Sequence, residues 1–402
     1  MRNTHITFVS FPHFAHVNPT TSVVSVLVKR GYRVTYITST RFSSAITATG
    51  AEFVECAAFS PEPLLSDSSR KTSDWSESEY RQSPVFGLVK SSLNALSALY
   101  NEQRPDCLIY DFMAFAGRIH AARTNTPAIQ SSPTFAHHPS MFDTDSASQE
   151  WRKAHIDGSS IVAKFLQLHG VDAGSVPFHK EPLNIHYFPR EFQPHHEQFG
   201  SEYFFAGRCA GEQARMGGVK LKLSEGGPTA FVSTSTTYPQ GLSYMKMCIQ
   251  SLREAGWHVI VLARKSGDAE SISEFAPDVE IVRDVPHTEI LPHSDLIVCQ
   301  GGIVAQAEAM YHGVPVIITS HGNLEFEMQA TVMERLGIAL HIRKEETSAD
   351  AIKRAADRVL TDSTFKNRVR EMQQIVQRAP GAEETANRIQ QYIEMSRSSR
   401  SA

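Results

Sequence analysis

The sequence predicts an α/β protein built as two doubly wound, Rossmann-like domains facing across a cleft. Three observations lead there. Short apolar runs alternate with helix-length segments, the arithmetic of parallel strands joined by crossover helices. The same alternation starts afresh in the second half. Between the halves, residues 209–228 ("CAGEQARMGGVKLKLSEGGP") are rich in Gly and charge and poor in large apolar side chains, the composition of a linker. A chain of 402 residues also exceeds what one ordinary core organises.

The first half opens with "HITFVSF" at 5–11, a helical stretch over 20–29 that stops at Gly31, and "RVTYITS" at 33–39. A second helical stretch ends near Gly50, and "EFVECAA", "CLIYDF" (107–112) and "PAIQSS" (127–132) follow. From 133 to 200 the pattern blurs into loops and helices dense in His, Phe, Pro and Ser, suited to covering a site; within and after it come "LNIHYFP" and "YFFAGR". The second half offers five strand-like runs: "TAFVSTST", "HVIVLAR", "VEIVRDV", "DLIVCQ" and "VPVIITS". The tail from Ala382 to about Ser396 is helical, with Ala386, Ile389 and Ile393 at spacings of three and four. Ligands in such sheets bind beyond the carboxyl ends of the strands, so each facing half contributes one wall of a site.

Composition narrows the function. Net charge is −4 with His neutral, and Lys and Arg form no long run, which argues against nucleic acid or a membrane surface as partner. Five widely spaced cysteines, an odd number without CxxC, read as buried thiols of a reducing compartment rather than as a disulfide framework or zinc site. No secretory leader and no apolar run of membrane-span length is visible, so the expected location is cytoplasmic.

Two places carry candidate chemistry. His13 and His16 lie past the end of the first strand, where Asn18-Pro19 is expected to begin a helix. A histidine there is placed to act as a general base, or is an ordinary loop histidine. Asp111 ends another apolar run and reads equally as a helix cap or a functional carboxylate. If the two strands lie side by side, Asp111 reaches the imidazole, orients it and stabilises the imidazolium formed when it takes a proton from a substrate hydroxyl. The second place is "CQGGIVAQAEAM" (299–310): a strand, a Gly-Gly turn and a helix start, which is how a chain builds a phosphate cradle. Yet no Lys, Arg, His, Ser or Thr occurs from Gln300 to Met310.

Three segments, "HITFVSFPHFAHVNPTTSVVSVLVKRGYRVTYIT", "PDCLIYDFMAFAGRIHA" and "VPHTEILPHSDLIVCQGGIVAQAEAMYHGVPVIIT", resemble the bacterial macrolide- and flavonoid-type UDP-glycosyltransferases of GT-B fold, and the likeness spans essentially the whole chain. It implies an acceptor-binding domain over 1–212, a linker over 213–227, a nucleotide-sugar domain over 228–380, and a C-terminal helix and tail over 381–402 free to cross back to the first domain. It implies an inverting transfer of a sugar from a nucleotide-diphosphate donor, a UDP-sugar first of all, to a hydroxyl of an apolar small molecule of secondary metabolism. His16, ahead of Val17-Asn18-Pro19, takes the place of the family's base and Asp111 that of its partner. The nucleotide-sugar is a co-substrate, and neither a cofactor nor a metal is implied.

The donor side departs from the family pattern. Gln300-Gly301-Gly302 stands where His-Gly-Gly or His-Ala-Gly is usual, Val304-Ala305 where a phosphate-binding Ser is usual, Glu325-Phe326 where an acidic residue and Gln grip the sugar, and Val285-Pro286-His287 where Val-Pro-Gln is usual. Glu308 matches the ribose-binding Glu, and Thr236 a Thr of the first donor-domain loop. Thr236, His287, Gln300, Gly301, Gly302, Glu308 and Glu325 are therefore the expected donor contacts; His293, His321 and Lys265 stand nearby only by position, and each of these histidines reads first as surface decoration. Two or three lost charge-assisted hydrogen bonds, at roughly 1.5–3 kcal/mol each, weaken a diphosphate site by several powers of ten unless compensated. For the acceptor, Phe14, Phe86, Phe112, Phe135, Met141 and Phe142 form an aromatic and Met-rich wall suited to a flat apolar molecule; of these, Phe112 reads more readily as core than Phe135 or Phe142. The donor departures leave two alternatives: a fold relative using the His–Asp pair on other chemistry, or a non-catalytic helper of a partner enzyme.

Overall fold

The computed structural model describes residues 4–56, 78, 84–138, 141, 166–167, 169–171, 179–209, 221, 226–234, 241–263, 265–283, 285–321 and 324–401. The chain divides into two compact units, Met1–Gly211 with Pro380–Ala402, and Glu212–Ala379. The linker expected over 213–227 lies almost wholly outside the described residues.

The first unit holds a seven-stranded parallel sheet: β1 (His5–Val9), β2 (Arg33–Thr38), β3 (Glu52–Glu55), β4 (Cys107–Asp111), β5 (Ala128–Ser132), β6 (Asn184–His186) and β7 (Tyr203–Phe205), in the spatial order 3-2-1-4-5-6-7. The second holds six: β8 (Thr229–Ser233), β9 (His258–Leu262), β10 (Glu280–Val282), β11 (Leu296–Cys299), β12 (Val316–Thr319) and β13 (Ala339–Ile342), ordered 10-9-8-11-12-13. Renumbered within its unit, the second sheet reads 3-2-1-4-5-6, the doubly wound order, and the first begins the same way. Among the described residues, the helices of ten residues or more are α1 (Phe14–Lys29), α2 (Pro84–Glu102), α3 (Phe115–Thr124), α4 (Leu242–Glu254), α5 (Ser266–Phe275), α6 (Ile303–His312), α7 (Leu324–Arg335), α8 (Ala349–Thr361), α9 (Ser363–Gln377) and α10 (Gly381–Ser401).

Strand alternation sorts the first sheet's side chains into two cores. Ile6 pairs with Cys107 and Phe8 with Ile109, and these four point toward α1 and α10, where they pack with Val17, Val23, Val24, Leu27, Ala386, Ile389 and Ile393. Leu108 and Tyr110 point the other way, onto Leu88, Val89 and Leu96 of α2 and Ala116 and Ile119 of α3. Because both faces are covered, every residue of β1 and β4 is buried, His5 and Thr7 included. α3 approaches the sheet closely at Gly117, where a Cβ would lie 2.3 Å from that of Tyr110. The C-terminal helix belongs to the first unit: Arg30 pairs with Glu383 at 2.6 Å and Arg397 with Asp106 at 2.9 Å.

Two elements differ from the sequence expectation. The first helix starts at Phe14, not at Asn18-Pro19. His13 is its N-cap, its Nδ1 accepting from the Ala15 N–H at 3.3 Å, and Pro19 is accommodated inside the helix at the cost of one backbone bond. The second unit has a sixth strand, β13, which the count of five missed. It is four residues long and includes His341, whose ring is buried between Ser320 (2.9 Å) and Glu327 (3.3 Å) rather than exposed. The five cysteines are all buried; burial pushes the thiols of Cys209 and Cys248 up to about 12 and those of Cys56 and Cys299 up to about 11. Among the described residues no helix is long and apolar enough to cross a membrane, and no cluster of His, Cys, Asp and Glu could hold a metal.

Candidate active site

The order 3-2-1-4 makes β1 and β4 neighbours at the point where the sheet reverses its winding, and a doubly wound sheet keeps its site at the carboxyl ends of those two strands. Asp111 is the last residue of β4, on the same face as Cys107 and Ile109, and so points toward α1. His16 is in the first turn of α1. The imidazole Nδ1 lies 2.8 Å from Asp111 Oδ2, with 12% of the His16 side chain and 2% of the Asp111 side chain exposed. The other carboxylate oxygen accepts the Met113 N–H at 2.9 Å. A carboxylate accepts and does not donate, so Nδ1 carries the hydrogen and Nε2 the lone pair. Nε2 has no hydrogen-bond partner among the described residues.

Three rings frame the imidazole. Phe112 lies nearly parallel to it, at 14° and 5.8 Å between centroids; Phe11 is tilted at 5.2 Å; His13 meets it edge-on at 5.7 Å. Beneath α1, Thr20 Oγ1 bonds Tyr36 Oη at 2.7 Å, and Tyr187 Oη accepts from Ser131 at 3.2 Å. Burial raises both phenols far above their ordinary range, so this layer stays uncharged under the dyad.

The second unit repeats the topology with different side chains. The carboxyl ends of β8 and β11 are adjacent, and Gln300-Gly301-Gly302 leaves β11 to cap α6. Gly301 adopts φ +101°, and a Cβ there would lie 2.8 Å from Ile318 Cγ2 of β12; only glycine fits both constraints. The Gln306 amide reaches back to the Gly301 carbonyl. At the end of β8, Ser233 Oγ lies 2.9 Å from His287 Nε2, and the His287 ring stands edge-on to Phe231 at 5.2 Å. Tyr244 of α4 bonds Thr319 at the end of β12 and meets the His321 ring edge-on at 4.6 Å. His321 sits at φ +53°, and burial, then Lys344, lower its pKa, so it offers a neutral ring rather than a cation.

Several expected residues are placed elsewhere than the sequence suggested. Phe135 is buried edge-on to Phe188, and Met141 is buried against the Gln193 amide. Phe112 is half-buried over His16. This reverses the ordering that made Phe112 the likelier core residue. Phe86 packs against the apolar cluster beneath α2 and α3, on the face of the sheet opposite α1. Phe14 opens α1 with 48% of its surface exposed, against Phe42 and under the Arg41 guanidinium. Gln300 is buried, Glu308 half-buried and Glu325 exposed, with its neighbour Phe326 buried. His293 and Lys265 are exposed. Thr236 and Phe142 lie outside the described residues. Sequence reading passed over Phe11, Ser233, Tyr244 and Gln306; Ser233 and Tyr244 make contacts with distant segments, whereas Phe11, five residues before His16, and Gln306, five residues after Gly301, were within local reach.

Two doubly wound units with these loops at their switch points define the class: a GT-B glycosyltransferase architecture. Residues 249–392 match the family model described as the erythromycin biosynthesis protein CIII-like C-terminal domain. The NDP-glycosyltransferase YjiC of Bacillus subtilis (strain 168) is 30% identical over 98% of this chain and 99% of its own length. The demethyllactenocin mycarosyltransferase of Streptomyces fradiae is 28% identical over 97% of this chain and 86% of its own. Among solved structures, the glycotransferase of kitacinnamycin superposes with a TM-score of 0.80 at 25% identity, covering 98% of this chain and 100% of that one. The chain belongs to the macrolide-type NDP-glycosyltransferase family and is a glycosyltransferase of natural-product type.

Proposed function

We propose that the chain transfers a sugar, with inversion, from a UDP-sugar to a hydroxyl of an apolar small-molecule acceptor, with His16 as the base and Asp111 orienting it. The acceptor O–H donates to His16 Nε2, which takes the proton as the oxygen attacks the sugar's anomeric carbon. The bond from that carbon to the diphosphate breaks, and its electron pair leaves with the nucleoside diphosphate. One displacement inverts the anomeric centre, so one base is enough. Asp111, buried and tied at both oxygens, stabilises the imidazolium that results. On this reading the glycine turn Gly301-Gly302 offers backbone N–H groups to the diphosphate, His287 lies by the base, and Glu308 by the ribose.

The observation that carries this reading is the 2.8 Å His16–Asp111 hydrogen bond at the switch point of β1 and β4. The test is sugar transfer from UDP-glucose to a panel of flavonoid and macrolide acceptors, alongside calorimetric titration of UDP- and dTDP-sugars. Transfer with inverted anomeric configuration, lost in His16→Ala at unchanged fold, supports the reading. Binding of acceptor without binding of any nucleotide-sugar overturns it.

A further inference from the structure

We propose that Phe112 is a positioning residue for the base: its ring fixes the plane of the His16 imidazole and faces the imidazolium as it forms. This rests on the assignment of His16 above.

The placement of Phe112 follows from the residue before it. Asp111 ends β4, and simple alternation would send the next side chain to the opposite face of the sheet. Asp111 prevents that. Its Oδ1 accepts the Met113 N–H at 2.9 Å, and its carbonyl accepts the Ala114 N–H at 2.7 Å. Together these close a tight turn of the kind an aspartate side chain promotes. The turn is anchored to the sheet by the Phe112 N–H, which donates to the Ser131 carbonyl at 2.9 Å. The Phe112 ring is thereby brought over His16, at 14° to the imidazole plane. One carboxylate thus does two things: Oδ2 holds the imidazole by an edge, and Oδ1 folds the turn that lays an aromatic ring on its face.

A single hydrogen bond at Nδ1 leaves the imidazole free to swing about that bond. Phe112 on one face and buried Phe11 at 5.2 Å restrict the swing and aim Nε2. When Nε2 takes the proton, the ring becomes a cation beside two aromatic quadrupoles, an arrangement that favours the charged form. Both effects grow toward the transition state, so they act on kcat rather than on acceptor binding.

The experiment compares Phe112→Leu, Phe112→Tyr and His16→Ala in the full chain, using UDP-glucose and a flavonol acceptor, with fold checked by circular dichroism and Tm. Phe112→Leu is expected to lower kcat about tenfold with acceptor KM changed less than about twofold, and Phe112→Tyr to restore most of the rate. A loss confined to acceptor KM makes Phe112 an acceptor contact and overturns the proposal, as does an unchanged kcat in Phe112→Leu. If His16→Ala keeps its activity, the base assignment fails and the proposal with it; if His16→Ala is inactive while Phe112→Leu turns over at the wild-type rate, only the proposal fails. A second measurement needs no acceptor. In 15N relaxation of the imidazole, His16, identified by its absence in His16→Ala, should show a rigid ring in the wild type and a mobile one in Phe112→Leu, the Nδ1–H tautomer being held by Asp111 in both. Equal ring mobility overturns the proposal.

Discussion

At the carboxyl ends of β1 and β4 stand an imidazole and a carboxylate 2.8 Å apart, both held by further contacts. At the corresponding place in the second sheet, the ends of β8 and β11, stand a neutral amide, two glycines and a Ser233–His287 hydrogen bond. The strand order is the same, and so is the position a doubly wound sheet reserves for ligands. The difference lies in what occupies that position. In the first unit the place is shaped by two charged or chargeable side chains, positioned by strand alternation and by the first turn of α1. In the second it rests on backbone geometry: a positive φ at Gly301, contact with Ile318, and an amide from Gln306 steadying the loop. Topology supplies the location, and the residues there decide what it does.

The comparison can be broken most sharply at Asp111. Asp111→Asn keeps an oxygen for the Met113 N–H, and so keeps the turn, but removes the charge beside the imidazole. Transfer should fall by about 10²–10⁴-fold with Tm nearly unchanged; steady-state kinetics that match the wild type would reduce the dyad to a structural contact. Gly117→Ala and Gly301→Ala probe the two backbones. Each places a methyl within 2.8 Å of a neighbour, and each should cost about 1–3 kcal/mol by overpacking, read from denaturant unfolding. Gly301→Ala should also weaken nucleotide-sugar binding, whereas Gly117→Ala should not. Gln300→His restores the side chain usual in the family, and calorimetry should show UDP-sugar binding tightened by about tenfold, the worth of one charge-assisted hydrogen bond.

The smallest effect is on acid stability. Burial holds His186 down to about 4, so between pH 6.5 and 4 the unfolded chain binds a proton there that the folded chain does not. Its contribution to stability is therefore intact above pH 6.5 and is lost progressively as pH falls toward 4. His120 behaves the same way, and His321 and His341 of the second unit are shifted in the same direction. Urea unfolding midpoints should decline on acidification from pH 6.5, and His186→Asn should flatten part of that slope.

Much of this was legible in the sequence, because several central strands, β4, β8, β9, β11 and β12, are buried on both faces and carry apolar runs. The His16–Asp111 contact was legible too, since Asp111 ends one such run, His16 lies in the segment that follows the neighbouring strand, and adjacent strands bring them together. What escaped depends on contacts that no local pattern encodes. The start of α1 was obscured by Asn18-Pro19, a strong start signal that here falls inside the helix. Strand β13 was hidden by His341, which is buried only because Ser320 and Glu327 come to meet it. Phe112 and Phe135 both follow strand ends. Only the Asp111 turn puts the first over His16, and only Phe188, 53 residues away in sequence, draws the second into the core.

The most direct measurement is the rate of sugar transfer by His16→Ala beside the wild type, with native fold and nucleotide-sugar binding verified in the same preparation. A base held by Asp111 predicts a loss of about 10²–10⁴-fold in kcat with donor affinity preserved. A variant that folds, binds donor and transfers sugar at the wild-type rate would contradict the assignment.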